Sequence, residues 1–313
     1  MSNYVLSCCS TADLSAEHFL KRDIHYISFH YRMNGQDFAD IPGDKAALRE
    51  FYQFMRDHEK ASDKTAERIT TSQVNISEYL TYFANFLEQG MDVFHVCLSS
   101  GLSGAWNSCI NAANIAKERY PDREIIVIDS LCASTGYGLF MDALADQRDA
   151  GMGLHELQDW AEQNKLKVNH LFFSTDLSYY YAGGRISRSA ALFGGILNIC
   201  PLLHMDAEGR LVPIAKLRGK TMAMKRMLKK MEELADNGTT YSATSYSGTS
   251  YNGPVYICHS DCEADALTVK EMVETTFPNL PSPVKIYDVG TVIGAHTGPG
   301  TVALFFFGRS RNE

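Results

Sequence analysis

Through the first half of the chain, short apolar runs alternate with amphipathic stretches. Tyr4–Cys8 and Ile24–Phe29 have strand length, and Ala46–Met55 places Leu48, Phe51 and Met55 on one helical face. Ser77 is suited to cap a helix carrying Leu80, Phe83 and Leu87, with Gly90 just beyond its end. A buried-type strand at Val93–Leu98, a Gly/Ser turn, a helix from Ala105 to about Tyr120, a strand at Ile125–Ile128 and a helix over Gly153–Gln163 follow. Strand, turn, helix and strand at this spacing predict right-handed βαβ units and a largely parallel sheet.

The second half has another rhythm. Val168–Thr175 reads as a strand and Ser187–Ile199 as a helix. Leu202–Met205 and Leu211–Lys216 read as a hairpin about Asp206-Ala207-Glu208-Gly209. A helix over Thr221–Leu234 turns Met224, Met227, Leu228 and Met231 inward, and strands are expected near Val255–Cys258, Val284–Tyr287 and Thr301–Phe307. Hairpins beside crossovers indicate a mixed sheet, helix-covered on one face. The expected architecture is thus two-domain α/β: an N-terminal three-layer α/β/α unit with a parallel sheet (1–165) and a C-terminal two-layer unit with a mixed sheet (166–313). Asn237–Gly253 is polar, without periodicity, and reads as a mobile surface insert with no chemistry of its own.

Length agrees with this division, since 313 residues at roughly 150 per domain make two. The 29 Lys and Arg against 37 Asp and Glu give a formal charge of -8, which argues against a general nucleic-acid binder. The first residues lack a basic and apolar leader pattern, and no apolar run approaches membrane-spanning length, so a cytoplasmic protein is expected. The eight cysteines lie mostly in strand-like runs as reduced, small hydrophobes. None has the local spacing of a zinc ligand set, so no metal is expected.

Charge is unevenly distributed. Residues 185–230 hold ten basic side chains against Asp206 and Glu208, a local +8 that suits an acidic partner, a phosphate or transient contact with an anionic membrane surface. The bland alternative is a solvated helix face, and Lys229 and Lys230 fit it.

Four small, polar segments abut the apolar strands: Thr70-Thr71-Ser72-Gln73, Ser99–Gly104, Ala182–Ser187 and Gly294–Gly300. The serine turn follows a strand and opens a helix, where unpaired N–H groups and hydroxyls can receive an anion. Its plain reading is a capped βα loop with Ser103 as the cap. Arg185, between a glycine pair and a helix start, can reach a carboxylate or phosphate, or can simply be a surface arginine after a turn. His296 lies among small residues that permit close approach, and no second histidine or carboxylate at metal spacing accompanies it. Gly101-Leu102-Ser103-Gly104 is also near a nucleophile elbow. A serine hydrolase using Ser103, Asp288 and His296 on acyl esters therefore stands as the alternative reading, although Ser103 is five residues past the strand and no HGGG-type loop is present.

Taken in order, these segments resemble the DegV family. The matches are Ser10-Thr11-Ala12-Asp13-Leu14, Thr71-Ser72-Gln73, Ser99–Gly104, Gly183-Gly184-Arg185-Ile186 and Gly294–Gly300, and they span nearly the whole chain. Cys9 stands where the family has an early acidic residue, and Val74 replaces its usual proline. The resemblance implies the same two-domain α/β fold and a lipid-binding protein that is not an enzyme. Such a protein carries a long-chain fatty acid, C16–C18, in a tunnel and requires no cofactor. It implies that Thr71 and Ser103 hold the carboxylate, with Thr70 and Ser100 as neighbouring candidates, and that His296 and Arg185 lie beside it. Arg218 would touch a phosphate or partner, and the partner implied is an ATP-dependent fatty acid kinase subunit. The small residues Ala105, Ser108, Ala112 and Ala113 are expected to leave room for the acyl chain beside their helix. No P-loop motif is present in the chain itself.

Overall fold

Strands with both faces covered need apolar residues at every position, and this chain supplies them twice. The computed structural model describes residues 4–60, 69–191, 199–235 and 251–313. In its first half the strands are β1 (Tyr4–Cys9), β2 (His25–Ile27), β3 (His30–Met33), β4 (Gln36–Ala39), β5 (Thr70–Ser72), β6 (Asp92–Cys97) and β7 (Ile125–Asp129). The helices there are α1 (Ala16–Lys21), α2 (Lys45–Lys60), α3 (Ile76–Leu87), α4 (Ala105–Arg119), α5 (Ser134–Asp149) and α6 (Leu154–Asn164). The four-stranded sheet β2-β1-β6-β7 is parallel throughout, with Val5 level with Val93 and Val93 with Ile125. All of β1 is buried, as expected of a strand covered on both faces.

Two local readings change. Ile24–Phe29 is not one strand: β2 ends at Ile27, and the chain turns into β3 of a separate three-stranded sheet, β4-β3-β5. The cap of α3 is Asn75 rather than Ser77. The Asn75 side chain accepts from the Glu78 N–H while the Glu78 carboxylate receives the Asn75 N–H, a reciprocal pair that satisfies two otherwise open donors.

The second half contributes β8 (Val168–Ser174), β9 (Ile199–Met205), β10 (Leu211–Arg218), β11 (Val255–His259), β12 (Lys285–Asp288) and β13 (Thr301–Phe307), with α7 (Ser178–Ala182), α8 (Arg188–Ala191), α9 (Gly219–Leu234), α10 (Glu263–Thr276) and α11 (Thr291–Thr297). Its six-stranded sheet runs β10-β9-β8-β13-β11-β12, antiparallel except for the β11–β12 pair. The two-part α/β organisation, a helix-flanked parallel sheet followed by a separate mixed sheet, is therefore present. Residues 192–198 of the expected Ser187–Ile199 helix lie outside the described residues, and Ile199 opens a strand instead of ending a helix. Most of the polar insert, residues 237–250, also lies outside them. Its end is core, not surface: Tyr251 is buried, donates to the Pro254 carbonyl and accepts from the Phe307 N–H.

Alternation along β13 shows why its sequence is apolar throughout. Val302, Leu304 and Phe306 pack with Met224, Met227 and Met231 of α9 and with Val269 and Val273 of α10. Ala303, Phe305 and Phe307 face the opposite way and join the large core of the first half. Helix α5 covers that second face. It approaches closely because Gly136 has no side chain; a Cβ there would lie 2.4 Å from His170 Nε2 and 2.5 Å from the Phe305 ring. Between the two sheets this arrangement leaves a cavity.

Candidate functional site

The cavity has a volume of about 500 Å³ and draws its walls from both halves of the chain. Its apolar part is formed by Phe29, Leu98 and Leu102, by Phe172, Met205, Ala303 and Phe305 on the inner face of the mixed sheet, and by Val289, Val292 and Ile293 at α11. One region is polar: Thr71, Gln73, Ser103, Arg185 and His296 all line it. Four of the sequence-predicted ligands are thus brought to one place from positions up to 225 residues apart.

Thr71 sits on β5, opposite Tyr31, and its Oγ1 lies 2.8 Å from His296 Nε2. His296 is on the last turn of α11, not in a glycine-rich loop as the sequence reads. The helix forms because Asp40 meets its first turn: Asp40 Oδ1 accepts from Thr291 N at 3.1 Å and from Thr291 Oγ1 at 2.6 Å. Gly183 packs against the imidazole, since a Cβ there would fall 2.2 Å from Nδ1. Burial, and then the nearby Arg185 guanidinium, hold the His296 pKa down to about 4, so the ring is neutral at pH 7. Its buried Nδ1 has no hydrogen-bond partner among the described residues. In the tautomer that donates from Nε2 to Thr71 Oγ1, the threonine proton remains free for a ligand oxygen.

Arg185 carries the electrostatics. It is partly buried, and burial alone pulls its pKa down. It donates to the Gly183 carbonyl, yet among the described residues it forms no ion pair. A half-buried guanidinium beside a neutral imidazole and a hydroxyl, at the edge of an apolar cavity, is built to receive an anion.

The serine turn divides its labour. Ser99 is buried and donates to the Gly209 carbonyl, fastening the β9–β10 turn onto the parallel sheet. Ser103 lines the cavity, donates to Gln73 Oε1 at 3.2 Å and accepts from Ala105 N at 3.2 Å. Gln73, which sequence reasoning quoted only as part of a motif, is the residue that presents Ser103; its Nε2 also donates to Ser108 Oγ. Asp40 was not foreseen either, because its role lies 251 residues away along the chain.

Other expectations are corrected. Thr70 and Ser100 are exposed and do not line the cavity, because the backbone turns Thr71 and Ser103 inward instead. Arg218, expected to touch a phosphate or partner rather than the carboxylate, is exposed at the end of β10. Ala105, Ala112 and Ala113 are buried in the protein core and, with Ser108, do not line the cavity, so the open space does not run beside α4. The serine-hydrolase triad is not assembled. Asp288 pairs with Lys45 and lies 3.7 Å from His259, His296 bonds Thr71, and its Nδ1 lacks the orienting carboxylate a triad needs.

Asp40→Ala tests the seat of α11. It should lower stability by about 1–3 kcal/mol, the cost of leaving buried donors without an acceptor. It should also weaken ligand binding, because α11 carries His296, Val292 and Ile293. An unchanged melting temperature together with unchanged affinity would show that Asp40 does not position the helix.

A family model described as "Uncharacterised protein, DegV family" matches residues 9–309. The chain is 31% identical over 311 residues to a DegV domain-containing protein of Clostridium perfringens, with 99% of each chain covered. Among solved structures it is similar to a stearic-acid-binding protein of Eubacterium ventriosum, with 25% identity, a TM-score of 0.81, and coverage of 97% of this chain and 98% of that one. It is also similar in fold to the fatty acid kinase (Fak) B3 protein of Streptococcus pneumoniae loaded with linoleic acid, with 21% identity, a TM-score of 0.79, and coverage of 99% and 100%.

Proposed function

The chain belongs to the DegV family, and on that premise we propose that it binds a long-chain fatty acid of the C16–C18 class in the cavity between its sheets. The carboxylate is held by Thr71 and Ser103, with Arg185 and His296 beside it. The observation that carries this reading is Arg185, a partly buried cation with no ion-pair partner among the described residues, on the polar side of a largely apolar cavity. The stearic-acid-binding relative from Eubacterium ventriosum supports the ligand class. Burying a chain of roughly 16 carbons contributes about 0.8 kcal/mol per methylene, about 12 kcal/mol before ordering costs. Hydrogen bonds to the charged head contribute about 1.5–3 kcal/mol each and fix its orientation.

The same proposal makes the protein a carrier and not a catalyst, acting in the cytoplasm and presenting the carboxylate to an ATP-dependent kinase subunit. Among the described residues no helix is long and apolar enough to cross a membrane. Arg218 and Lys225 have no ion-pair partner among the described residues, whereas Arg210, Lys220, Arg226 and Lys230 are paired with acids. The unpaired cations are the face offered to an acidic partner. We further propose 1–165 and 166–313 as the two domains. The parallel sheet lies within the first and the mixed sheet within the second, and the cavity takes walls from both.

Native mass spectrometry of the purified protein, followed by denaturation and organic extraction, tests the ligand. A long-chain fatty acid should co-purify with the wild type and be lost from the Thr71→Ala/Ser103→Ala variant, which should still fold. Equal lipid content in that variant would sink the head-group assignment. A protein that is empty and takes up no palmitate on titration would sink the ligand class. Co-purification with a kinase subunit, weakened by Arg218→Glu, tests the delivery role separately.

A further inference from the structure

Three cysteines and a histidine that the fatty-acid site does not use meet beneath the carboxyl ends of β1 and β6. Side chains two apart on a strand share a face, so His95 and Cys97 of β6 point the same way. The register that pairs Ser7 with His95 sets Cys9 level with Cys97. Cys109, on α4, reaches the same point from above the sheet. Cys97 Sγ, Cys109 Sγ and a ring nitrogen of His95 all lie within 4.8 Å of one another. Cys9 Sγ is 3.7 Å from His95 Nε2, and in the strand register Cys9 lies level with Cys97. All four residues are fully buried, the cysteines are free thiols, and among the described residues none of the four forms a salt bridge.

We propose that Cys9, Cys97, Cys109 and His95 Nε2 form a four-ligand site for a thiophilic d10 cation, Zn²⁺. Tetrahedral zinc with Zn–S near 2.3 Å and Zn–N near 2.0 Å sets ligand atoms about 3.5–3.8 Å apart. The Cys9–His95 pair is already at that spacing; Cys9 stands just outside the cluster formed by His95, Cys97 and Cys109, and the side chains must close on one centre when the cation binds. The imidazole is oriented as metal-bound histidines are. Its Nδ1 is hydrogen-bonded to Ser7 Oγ at 2.9 Å, Ser7 in turn meets Tyr82 Oη at 2.7 Å, and Nε2 is left to face the sulfurs. Tyr79 and Phe83 of α3 hold the ring edge-on at 5.4 and 5.5 Å.

The chemistry balances. Three S–H protons leave to solvent as three Zn–S bonds form, and the Nε2 lone pair makes the fourth bond. The single negative charge that results is met by the Tyr79 hydroxyl, 3.4 Å from Cys9 Sγ. Without metal, burial pushes all three thiols above their ordinary range, so they stay protonated and inert. The bound cation would tie β1 to β6 just before the Ser10–Asp13 and Ser99–Gly104 segments, pinning the ends of both loops. Local spacing hid this site because its ligands are 2, 12 and 86 residues from one another along the chain.

The test uses the full chain, refolded anaerobically with one equivalent of Co²⁺, whose thiolate charge-transfer and tetrahedral d–d absorption report ligand number and geometry. The wild type should show a 1:1 complex with charge-transfer intensity for three thiolates. Cys9→Ser and Cys109→Ser should each lose about a third of that intensity, and zinc should displace the cobalt. Elemental analysis of the protein purified from zinc-supplemented cells should find close to one zinc per chain. No tetrahedral cobalt spectrum in the wild type would overturn the proposal, as would a spectrum that both serine variants leave unchanged. Because a serine variant can misfold, far-ultraviolet circular dichroism is recorded on each sample; a variant that is unfolded is replaced by His95→Gln, which must then shift the d–d bands while keeping charge-transfer intensity close to that of three thiolates.

Discussion

Arg185→Glu should weaken fatty-acid binding by at least about 100-fold while leaving the folded protein intact. Losing one charge-assisted hydrogen bond removes about 1.5–3 kcal/mol, roughly ten- to a hundred-fold, and the new carboxylate repels the ligand head as well. Stability should change little. Arg185 forms no ion pair among the described residues, makes a single hydrogen bond to the Gly183 carbonyl, and is a cation held partly out of water at a cost. Arg185→Lys separates charge from geometry: it should retain part of the affinity, because it keeps the cation and loses the planar fork. The readouts are a calorimetric titration of delipidated protein with palmitate and the melting temperature of the same sample. If Arg185→Glu binds palmitate as the wild type does, the carboxylate lies elsewhere and the head-group reading falls with it.

Arg185 was legible in the sequence because it stands out locally, as a cation set between a glycine pair and a helix start. The same holds for most of the fold. The continuous apolar runs of β1, β6 and β13 announce strands covered on both faces, and the methionines of α9 recur at helical spacing. Helix α5 is not legible, for the complementary reason. Eleven of its residues are buried, on every side, so no apolar stripe exists to be read, and Gly136 and Gly138 disguise a helix as a turn. Helix α10 gives no clear stripe either, and α11 reads as a loop because its glycines outweigh its short period, while the Asp40 carboxylate that starts it is far away in sequence. Pair relations were the least legible of all. That Thr71 meets His296, that Gln73 presents Ser103, and that Asp288 does not meet His296 are facts of packing between segments, which no single segment records.

The delipidated protein should become markedly less stable between pH 6.5 and pH 4, and His296→Gln should remove much of that sensitivity. His296 has a folded-state pKa of about 4 against 6.5 in the unfolded chain. Above pH 6.5 neither state protonates it and it contributes nothing. Below that, the unfolded state takes up the proton first, so stability drops by about 1.4 kcal/mol per pH unit until the folded pKa is reached, about 3 kcal/mol in all. His170, also held neutral by burial, acts in the same direction. The buried Asp13 and Asp40, whose pKa values are raised, act in the opposite one: their protonated forms favour the fold, an effect that fades as pH rises. A difference measurement cancels these background groups. Glutamine keeps an N–H donor for Thr71 but cannot titrate, so its unfolding free energy in urea should gain on the wild type as pH falls, by about 2–3 kcal/mol at pH 4.5. Loading the wild type with fatty acid should shrink its own loss, because a carboxylate beside the imidazole favours the protonated ring and raises its pKa. Parallel pH curves for wild type and variant would mean that His296 is as solvated in the folded protein as in the unfolded one, which would place it outside the buried polar end of the cavity.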